Sequence, residues 1–299
     1  MADATTTWEF TDDRGQAVRT VRRPERVLAY IRAGAALWDL GRPPAGVYGS
    51  GHDGAGPDPV KAGEMGPRRV PYLGAGAALD AAALRAADAD LVVDVTYDGE
   101  RTYAVNEDAA RAAGLPVLAL AVGGDVTLTG VLARFAELAA ALGEPGEPQV
   151  AGGRAQLTAA EDAVRAAASG TRSPRVLVLS AAGGDQVHLA RPEAWPELRH
   201  LAGLGVRLAD PGPGGGVNWL TTTWDRALGL GADLVLADSR GNATPPAELE
   251  ELPAWRELTA RSPLEPWNPE LPPSEAAYAG FLRSVADALE ILRDKRGSA

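Results

Sequence analysis

The sequence contains no cysteine. This absence excludes disulfide bonds, thiolate metal sites and cysteine nucleophiles, and the chain as written offers no cysteine for a lipid anchor. It also has no apolar run near the roughly 18 residues that a membrane-spanning helix needs. The amino terminus shows neither the basic nor the apolar region of a secretory signal. We therefore expect a cytoplasmic protein, or an extracytoplasmic one if this is a trimmed mature chain.

Positive charge is scarce. The 29 Lys and Arg residues face 40 Asp and Glu residues, a net charge of −11, and the only lysines are Lys61 and Lys295. An acidic chain is a poor ligand for nucleic-acid phosphates, so we expect no nucleic-acid partner. With 299 residues, 45% of them hydrophobic, the chain is long enough for two domains with sizeable cores.

The common enzyme motifs are missing as well. The sequence has no GxxxxGK[ST], HExxH or GxSxG, and the glycines at 74–76 lack the third glycine of a dinucleotide fingerprint. Its three histidines are not grouped with carboxylates in the spacing of a metal site. We therefore predict no catalytic residue, no resident cofactor and no metal site.

Short apolar strands alternate with helices along most of the chain. RVLAY at 26–30 and RVLVL at 175–179 each open such a series, and Ala-Asp-Leu-Val occurs in both, at Asp90 and at Asp233. Continuous apolar strands separated by helices indicate parallel sheets covered on both faces. The fold class predicted is α/β, with two similar lobes whose sheets are mostly parallel.

The segment between the two series has its own pattern. After a Pro/Gly-rich start, Leu157, Ala160, Val164 and Ala168 recur at helical spacing. We therefore predict an amino-terminal lobe at 1–143, a connecting helix within 144–170 and a carboxyl-terminal lobe at 171–299.

Aromatic and arginine side chains concentrate in the loops that follow the predicted strands. In open parallel sheets, ligands bind beyond the carboxyl ends of the strands. Trp and Tyr offer a broad apolar surface with a polar handle, and Arg can form paired hydrogen bonds. Taken singly, each such Trp could cover its own core and each Arg could be solvated; together they predict a site for a large amphipathic ligand. The predicted ligand-binding residues are Tyr30, Arg32, Tyr48, Tyr97, Arg101, Arg191, Trp195, Trp219, Arg240 and Trp267. Three other tryptophans are assigned structural roles: Trp8, Trp38 and Trp255.

Several segments together resemble a known family. They are WEFTDDRGQAV, RPERVLAY, ALWDLGRPPAGVYG, DADLVVD, FAELAAALGEP, GADLVLADSR and PAWRELTARSPLEPWNPE. From about Trp8 to Leu292 the chain is similar to the periplasmic siderophore- and cobalamin-binding proteins of ABC importers. The resemblance implies two lobes joined by one long helix, with a shallow cleft between them and limited hinge motion.

The function implied is a non-enzymatic, monomeric substrate-binding protein for a ferric siderophore or similar iron chelate, held in the inter-lobe cleft. The family tends to carry an acid eight residues before the Asp of each third strand, for docking to the ABC permease. Asp225 holds that place in the second lobe, whereas Ala82 holds it in the first. Two alternatives stay open: a cytosolic enzyme or chaperone on the same scaffold, acting in siderophore release or a biosynthetic pathway, and a binder of cobalamin, haem or a metal ion.

Overall fold

The computed structural model describes residues 7–66, 68–143, 153–170 and 173–297. The chain divides into two compact units. Unit 1 comprises Met1–Ala151 and Glu270–Ser274, and unit 2 comprises Gly152–Pro269 and Glu275–Ala299. Each unit has its own hydrophobic core built around a β-sheet. The predicted α/β class is confirmed.

Unit 1 holds a five-stranded parallel sheet and an antiparallel hairpin. Its strands are β1 (Trp8–Thr11), β2 (Ala17–Thr20), β3 (Val27–Tyr30), β4 (Gly46–Gly49), β5 (Tyr72–Ala75), β6 (Leu91–Thr96) and β7 (Val117–Ala121). Its helices are α1 (Ile31–Asp39), α2 (Pro59–Ala62), α3 (Ala81–Ala86), α4 (Glu107–Ala113) and α5 (Leu128–Ala141), with 3₁₀ turns at Gly63–Met65 and Gly76–Ala78. The hairpin is β1–β2, and the sheet order is β5-β4-β3-β6-β7.

The local sequence explains these elements. Every residue of β3, β4 and β6 is buried, as expected for strands covered on both faces. Helices α3 and α4 begin where a side chain accepts a free backbone N–H of the first turn. Asp80 accepts from Ala83 N at 2.8 Å, as the sequence predicts, and Asn106 accepts from Ala109 N at 3.1 Å.

Unit 2 has a mixed sheet of six strands in the part of the chain described. Its strands are β8 (Arg175–Ala181), β9 (Val187–Ala190), β10 (Arg207–Leu208), β11 (Trp219–Thr222), β12 (Leu234–Asp238) and β13 (Leu264–Trp267). The order is β11-β9-β8-β12-β13, with β10 also paired to β8; the β8–β9 and β9–β11 pairs are antiparallel, so among these described strands β9 alone runs against the direction of the others. Its helices are α6 (Gly153–Ala168), α7 (Pro196–Gly203), α8 (Trp224–Gly229), α9 (Pro246–Leu249), α10 (Pro253–Arg261) and α11 (Glu275–Gly297).

One sequence interpretation in unit 2 is wrong. We predict a helix from Thr221, but the chain at 219–222 is strand β11 and the helix begins only at Trp224. Thr221 and Thr222 are β-branched, and they pair with His188 and Val187 of β9. Backbone pairing with a neighbouring strand thus outweighs the local helical pattern.

The repeated Ala-Asp-Leu-Val has the same structural role in both units. The backbone N–H of Asp90 donates to Arg26 O at 2.8 Å, and that of Asp233 donates to Arg175 O at 2.8 Å. The side-chain carboxylate of each aspartate accepts a hydrogen bond from the backbone N–H of the same arginine. The distances are 3.1 Å from Arg26 N to Asp90 and 2.7 Å from Arg175 N to Asp233. The repeated aspartate therefore fixes the start of the central strand of its own sheet.

The chain passes between the two units more than once. Helix α6 groups with unit 2, where it packs along α11, and residues 270–274 return to unit 1. The division at 143 and 171, and the role of a helix within 144–170 as a connector, stay predictions; residues 144–152 and 171–172 lie outside the described part of the chain. Among the described residues, no helix is long and apolar enough to cross a membrane.

Candidate functional site

Tyrosines gather at the carboxyl ends of the strands in unit 1. Tyr30 ends β3 and Tyr97 follows β6, while Tyr103 lies further along the same loop. The ring of Tyr103 meets both others edge to face, with centroids 4.9 Å from Tyr97 and 5.5 Å from Tyr30. Such contacts favour a fixed arrangement of the rings. The position agrees with the edge at which open parallel sheets bind ligands.

A buried ionic cluster lies beneath these rings. The Tyr30 hydroxyl donates to Glu270 Oε1 at 2.9 Å, and the Tyr97 hydroxyl lies 3.3 Å from the same oxygen. The Lys61 ammonium forms ion pairs with Glu270 and with Asp53, the latter at 2.5 Å. Lys61 is fully buried and Glu270 is 1% exposed. Two carboxylates around one ammonium, with tyrosine donors, satisfy charges that would be costly to bury alone.

The predicted residues of unit 1 fall into two groups. Tyr30, Arg32 and Tyr48 are at most 2% exposed. Arg32 donates to Leu271 O at 3.0 Å and to the Tyr97 hydroxyl at 3.2 Å. These three side chains are therefore buried at the carboxyl edge of the sheet and are not part of its accessible surface.

Tyr97 and Arg101 are the accessible members of the predicted set in unit 1. Tyr97 is half-buried, and Arg101 is exposed and paired with Asp98 at 2.9 Å. Backbone N–H groups of Arg101 and Glu100 hold the pKa of Asp98 well below its ordinary value.

The buried tyrosines are neutral phenols. Burial raises the pKa of Tyr30 well above its ordinary value of 10.0, and the negative charge of Glu270 raises it further. Burial likewise raises the pKa of Tyr48, beside Asp94. Desolvation favours the uncharged form in both cases.

In unit 2 the corresponding feature is a cluster of three tryptophans, Trp195, Trp219 and Trp267. Their ring centroids lie 5.1, 5.3 and 5.6 Å apart, and His188 adds a fourth ring 6.3 Å from Trp219. Strands β11 and β13, which carry Trp219 and Trp267, stand at opposite ends of the sheet order. In a flat sheet with strands about 4.8 Å apart, their backbones would be about 19 Å apart. The contact between these two rings therefore joins side chains from the two ends of the strand order.

The three indoles differ in exposure and in hydrogen bonding. Trp195 is 6% exposed and its Nε1 donates to Asn218 O at 3.1 Å. Trp219 is half-buried. Trp267 is 1% exposed, and its buried Nε1 has no hydrogen-bond acceptor among the described residues. A buried N–H without an acceptor carries a desolvation cost.

The arginines predicted for unit 2 are engaged within the unit. Arg240 forms a paired interaction with Asp238, at 3.0 Å from Nε and 2.7 Å from Nη2. Arg191 donates to a loop of glycine carbonyls, at 3.0 Å to Gly212 O, 2.8 Å to Gly214 O and 3.0 Å to Gly216 O. Arg191 therefore orders the loop that precedes Trp219. Burial lowers the pKa of His188, an effect that the charge of Asp238 opposes.

Sequence reasoning missed three residues of the unit 1 cluster: Asp53, Lys61 and Glu270. Lys61 could have been found, because it is one of only two lysines in an arginine-rich chain and lies in a turn-rich segment. Glu270 could not be found from local sequence patterns, because the tyrosines that contact it lie 173 and 240 positions away along the chain. Nothing here tests whether any of the ten predicted residues contacts a ligand, and those assignments stay predictions. In the described ranges, no group of three or more His, Asp or Glu side chains is arranged to hold a metal ion.

No protein-family model matches this sequence, and no curated protein matches it. Solved structures do. The crystal structure of DesE, a ferric-siderophore receptor protein from Streptomyces coelicolor, matches with a TM-score of 0.80 and 26% identity over 95% of this chain and 98% of that one. FhuD from Vibrio cholerae, a siderophore binding protein with Fe³⁺-Desferal bound, matches with a TM-score of 0.62 and 17% identity over 89% and 98%. The periplasmic heme-binding protein RhuT from Roseiflexus sp. RS-1 matches with a TM-score of 0.60 and 19% identity over 89% and 98%.

The resemblance identified in the sequence is confirmed by these structures. The chain has the α/β fold of the periplasmic siderophore- and haem-binding proteins, over nearly its whole length. The matched proteins are described as receptors or binding proteins, which supports a ligand-binding role for this chain.

Proposed function

We propose that this protein binds a ferric siderophore or a similar iron chelate, without catalysing a reaction. The observation that carries the proposal is the tryptophan cluster of unit 2, Trp195, Trp219 and Trp267, with ring centroids within 5.6 Å of one another. Trp219 is the half-buried member of this cluster, and its contacts with the buried rings of Trp195 and Trp267 hold it as a rigid aromatic surface that can pack against the organic shell of a chelate. The similarity to DesE, a ferric-siderophore receptor protein, supports the same ligand class.

The tyrosines of unit 1 support a second contact surface. Tyr97 and Tyr103 are half-buried and held edge to face at 4.9 Å, so each has a fixed ring and an accessible part. Arg101 lies on the same loop and is exposed. We propose that Tyr97 contacts the chelate. That the chelate lies in a cleft between two lobes stays a prediction from the sequence.

Intrinsic fluorescence is the direct test, because five of the seven tryptophans lie in unit 2 and three of them form the proposed surface. Titration with ferric desferrioxamine B should change the emission, with a Kd in the micromolar range or tighter. At a hundredfold excess over Kd, the same chelate should stabilise the protein by about 2.7 kcal/mol. Iron-free desferrioxamine B and haemin serve as comparison ligands.

Trp219→Leu gives the residue-level test. It should weaken binding about tenfold, because one wall of the aromatic surface is lost. Trp38→Leu is the matched control, since Trp38 is also half-buried but ends α1 on the other unit. Equal loss in both variants, or no response to a broad panel of ferric chelates, would rule out the proposed function. Binding of haemin alone would favour the haem alternative.

We further propose an extracytoplasmic mature protein that delivers its chelate to an ABC permease as a monomer. The neighbours described as periplasmic support this location. Asp225 and Ala82 are each the second residue of a short helix, α8 and α3, and both are exposed. Asp225 is therefore available for docking to a cationic permease surface, whereas the equivalent place in unit 1 carries no charge.

A further inference from the structure

Cationic side chains at the ligand edge of unit 1 are already matched by carboxylates. Lys61 is enclosed by Asp53 and Glu270, and Arg101 is paired with Asp98. Arg32 is 2% exposed and its guanidinium is committed to Leu271 O and the Tyr97 hydroxyl. An incoming anion would have to displace an internal carboxylate or break a buried hydrogen bond. This edge therefore offers an anion little net attraction.

Unit 2 shows the same compensation. Arg240 is bound by both oxygens of Asp238, whose side chain is fully buried, while the Arg240 side chain is 13% exposed. Arg191 has no carboxylate partner, but its donors hold the carbonyls of the loop at 212–216. Paired hydrogen bonds from Arg191 to a ligand would require that loop to open. Without such a rearrangement, unit 2 presents the half-buried ring of Trp219 to a ligand.

The charge of the whole chain acts in the same direction. A net charge of −11 repels a multiply charged anion during diffusional approach, whereas it attracts a cation. The pairing of the cations near the proposed site and the net charge of the chain therefore both disfavour an anionic ligand. A ferric tris-catecholate carries several negative charges, whereas a ferric tris-hydroxamate core carries none.

We infer that this protein selects iron chelates by charge, accepting neutral or cationic ferric hydroxamates and rejecting anionic ones such as ferric tris-catecholates. The inference rests on the proposed function and narrows its ligand class. The selecting groups are the carboxylates paired with Lys61, Arg101 and Arg240, chiefly Asp238 in unit 2.

Three ligands with one iron core test the charge alone. Ferric desferrioxamine B carries one positive charge, its N-acetyl derivative is neutral, and its N-succinyl derivative carries one negative charge. Fluorescence titration should give similar Kd values for the first two and a Kd about tenfold weaker for the third. Ferric enterobactin, a tris-catecholate, should bind more weakly still.

Asp238→Asn locates the effect. It releases Arg240 from its counter-ion, so the N-succinyl chelate should gain several-fold in affinity relative to the N-acetyl one. Glu9→Gln is the matched control, because it changes the net charge equally but at the exposed Arg19–Glu9 pair of the hairpin. The double variant Asp238→Asn/Arg240→Gln removes both charges and should return to the wild-type ratio of affinities. Thermal melting of each variant checks that it is folded.

The outcomes separate this inference from the function on which it rests. Equal or tighter binding of the N-succinyl chelate or ferric enterobactin overturns the charge selection but leaves a chelate-binding protein. The selection is also overturned if Asp238→Asn changes the ratio no more than Glu9→Gln does. If none of the ferric chelates binds, the proposed function itself fails.

Discussion

Glu270→Gln is expected to destabilise unit 1 by about 3 kcal/mol. Glu270 lies 1% exposed between the Lys61 ammonium and the hydroxyls of Tyr30 and Tyr97. Removing one partner of a buried ion pair leaves the other charge desolvated and only partly compensated, which costs about 3–5 kcal/mol. Asp53 still contacts Lys61 at 2.5 Å, so the lower end of that range applies.

The measurement should report on unit 1 specifically, because a protein of two compact units need not unfold in one step. Amide hydrogen exchange in β3 and β4 gives the local free energy of opening. Glu9→Gln is the control, since an exposed pair contributes less than about 1 kcal/mol. The double variant Lys61→Met/Glu270→Gln should lose more than the single one, because it leaves the buried Asp53 carboxylate without its ammonium. A loss below about 1 kcal/mol for Glu270→Gln would show that the cluster does not bear on the stability of unit 1.

Three further outcomes follow from single residues. Burial raises the pKa of Asp39 from its ordinary value of 3.8 to about 6, although a hydrogen bond from Ser274 lowers it. As the pH falls from about 6 to 4, the folded state therefore takes up a proton before the unfolded state does, and the folded state gains stability. Asp39→Asn should remove that gain, measured as a smaller difference in unfolding free energy between pH 4.5 and pH 7 than in the parent. Asp80→Ala should cost about 1 kcal/mol in urea unfolding, because Ala83 N loses its cap; no change would show that water replaces the cap fully. Ala82→Glu should raise the association rate with a reconstituted permease at low salt but not at high salt. The gain in docking free energy should be about 1 kcal/mol or less. Tight docking that the substitution leaves unchanged would refute the role given to this position.

The fold could be predicted from the sequence because its signals are local. Four apolar residues in a row, as in β3, predict a strand covered on both faces, and Asp80 marks the start of a helix. The repeated Ala-Asp-Leu-Val correctly indicated one sheet in each half. Strand β11 was missed because its pairing with β9 is not encoded in its own segment.

The candidate site could be predicted only as a set of residue types at one edge. The tryptophans meet as expected, but no local signal shows that Arg240 is neutralised by Asp238 or that Arg191 binds glycine carbonyls. Such pairings depend on rotamers and on loop paths. The contacts of Glu270 with Lys61 and Tyr30 form because the chain returns to unit 1 at residues 270–274, and no periodic pattern in the sequence predicts that return. Sequence reasoning therefore finds the residue types at this edge but not the intramolecular partners of its arginines.

The return of residues 270–274 to unit 1 has a consequence for biosynthesis. Protein chains are made from the amino terminus, so Lys61 and Asp53 emerge from the ribosome long before Glu270. Until then the ammonium of Lys61 lacks one of its two carboxylates and the Tyr30 hydroxyl lacks its acceptor. Unit 1 can therefore complete its buried ionic cluster only after all six described strands of unit 2 have been translated. The folding of unit 1 is therefore completed near the end of translation of the whole chain, and not when its amino-terminal segment has been made.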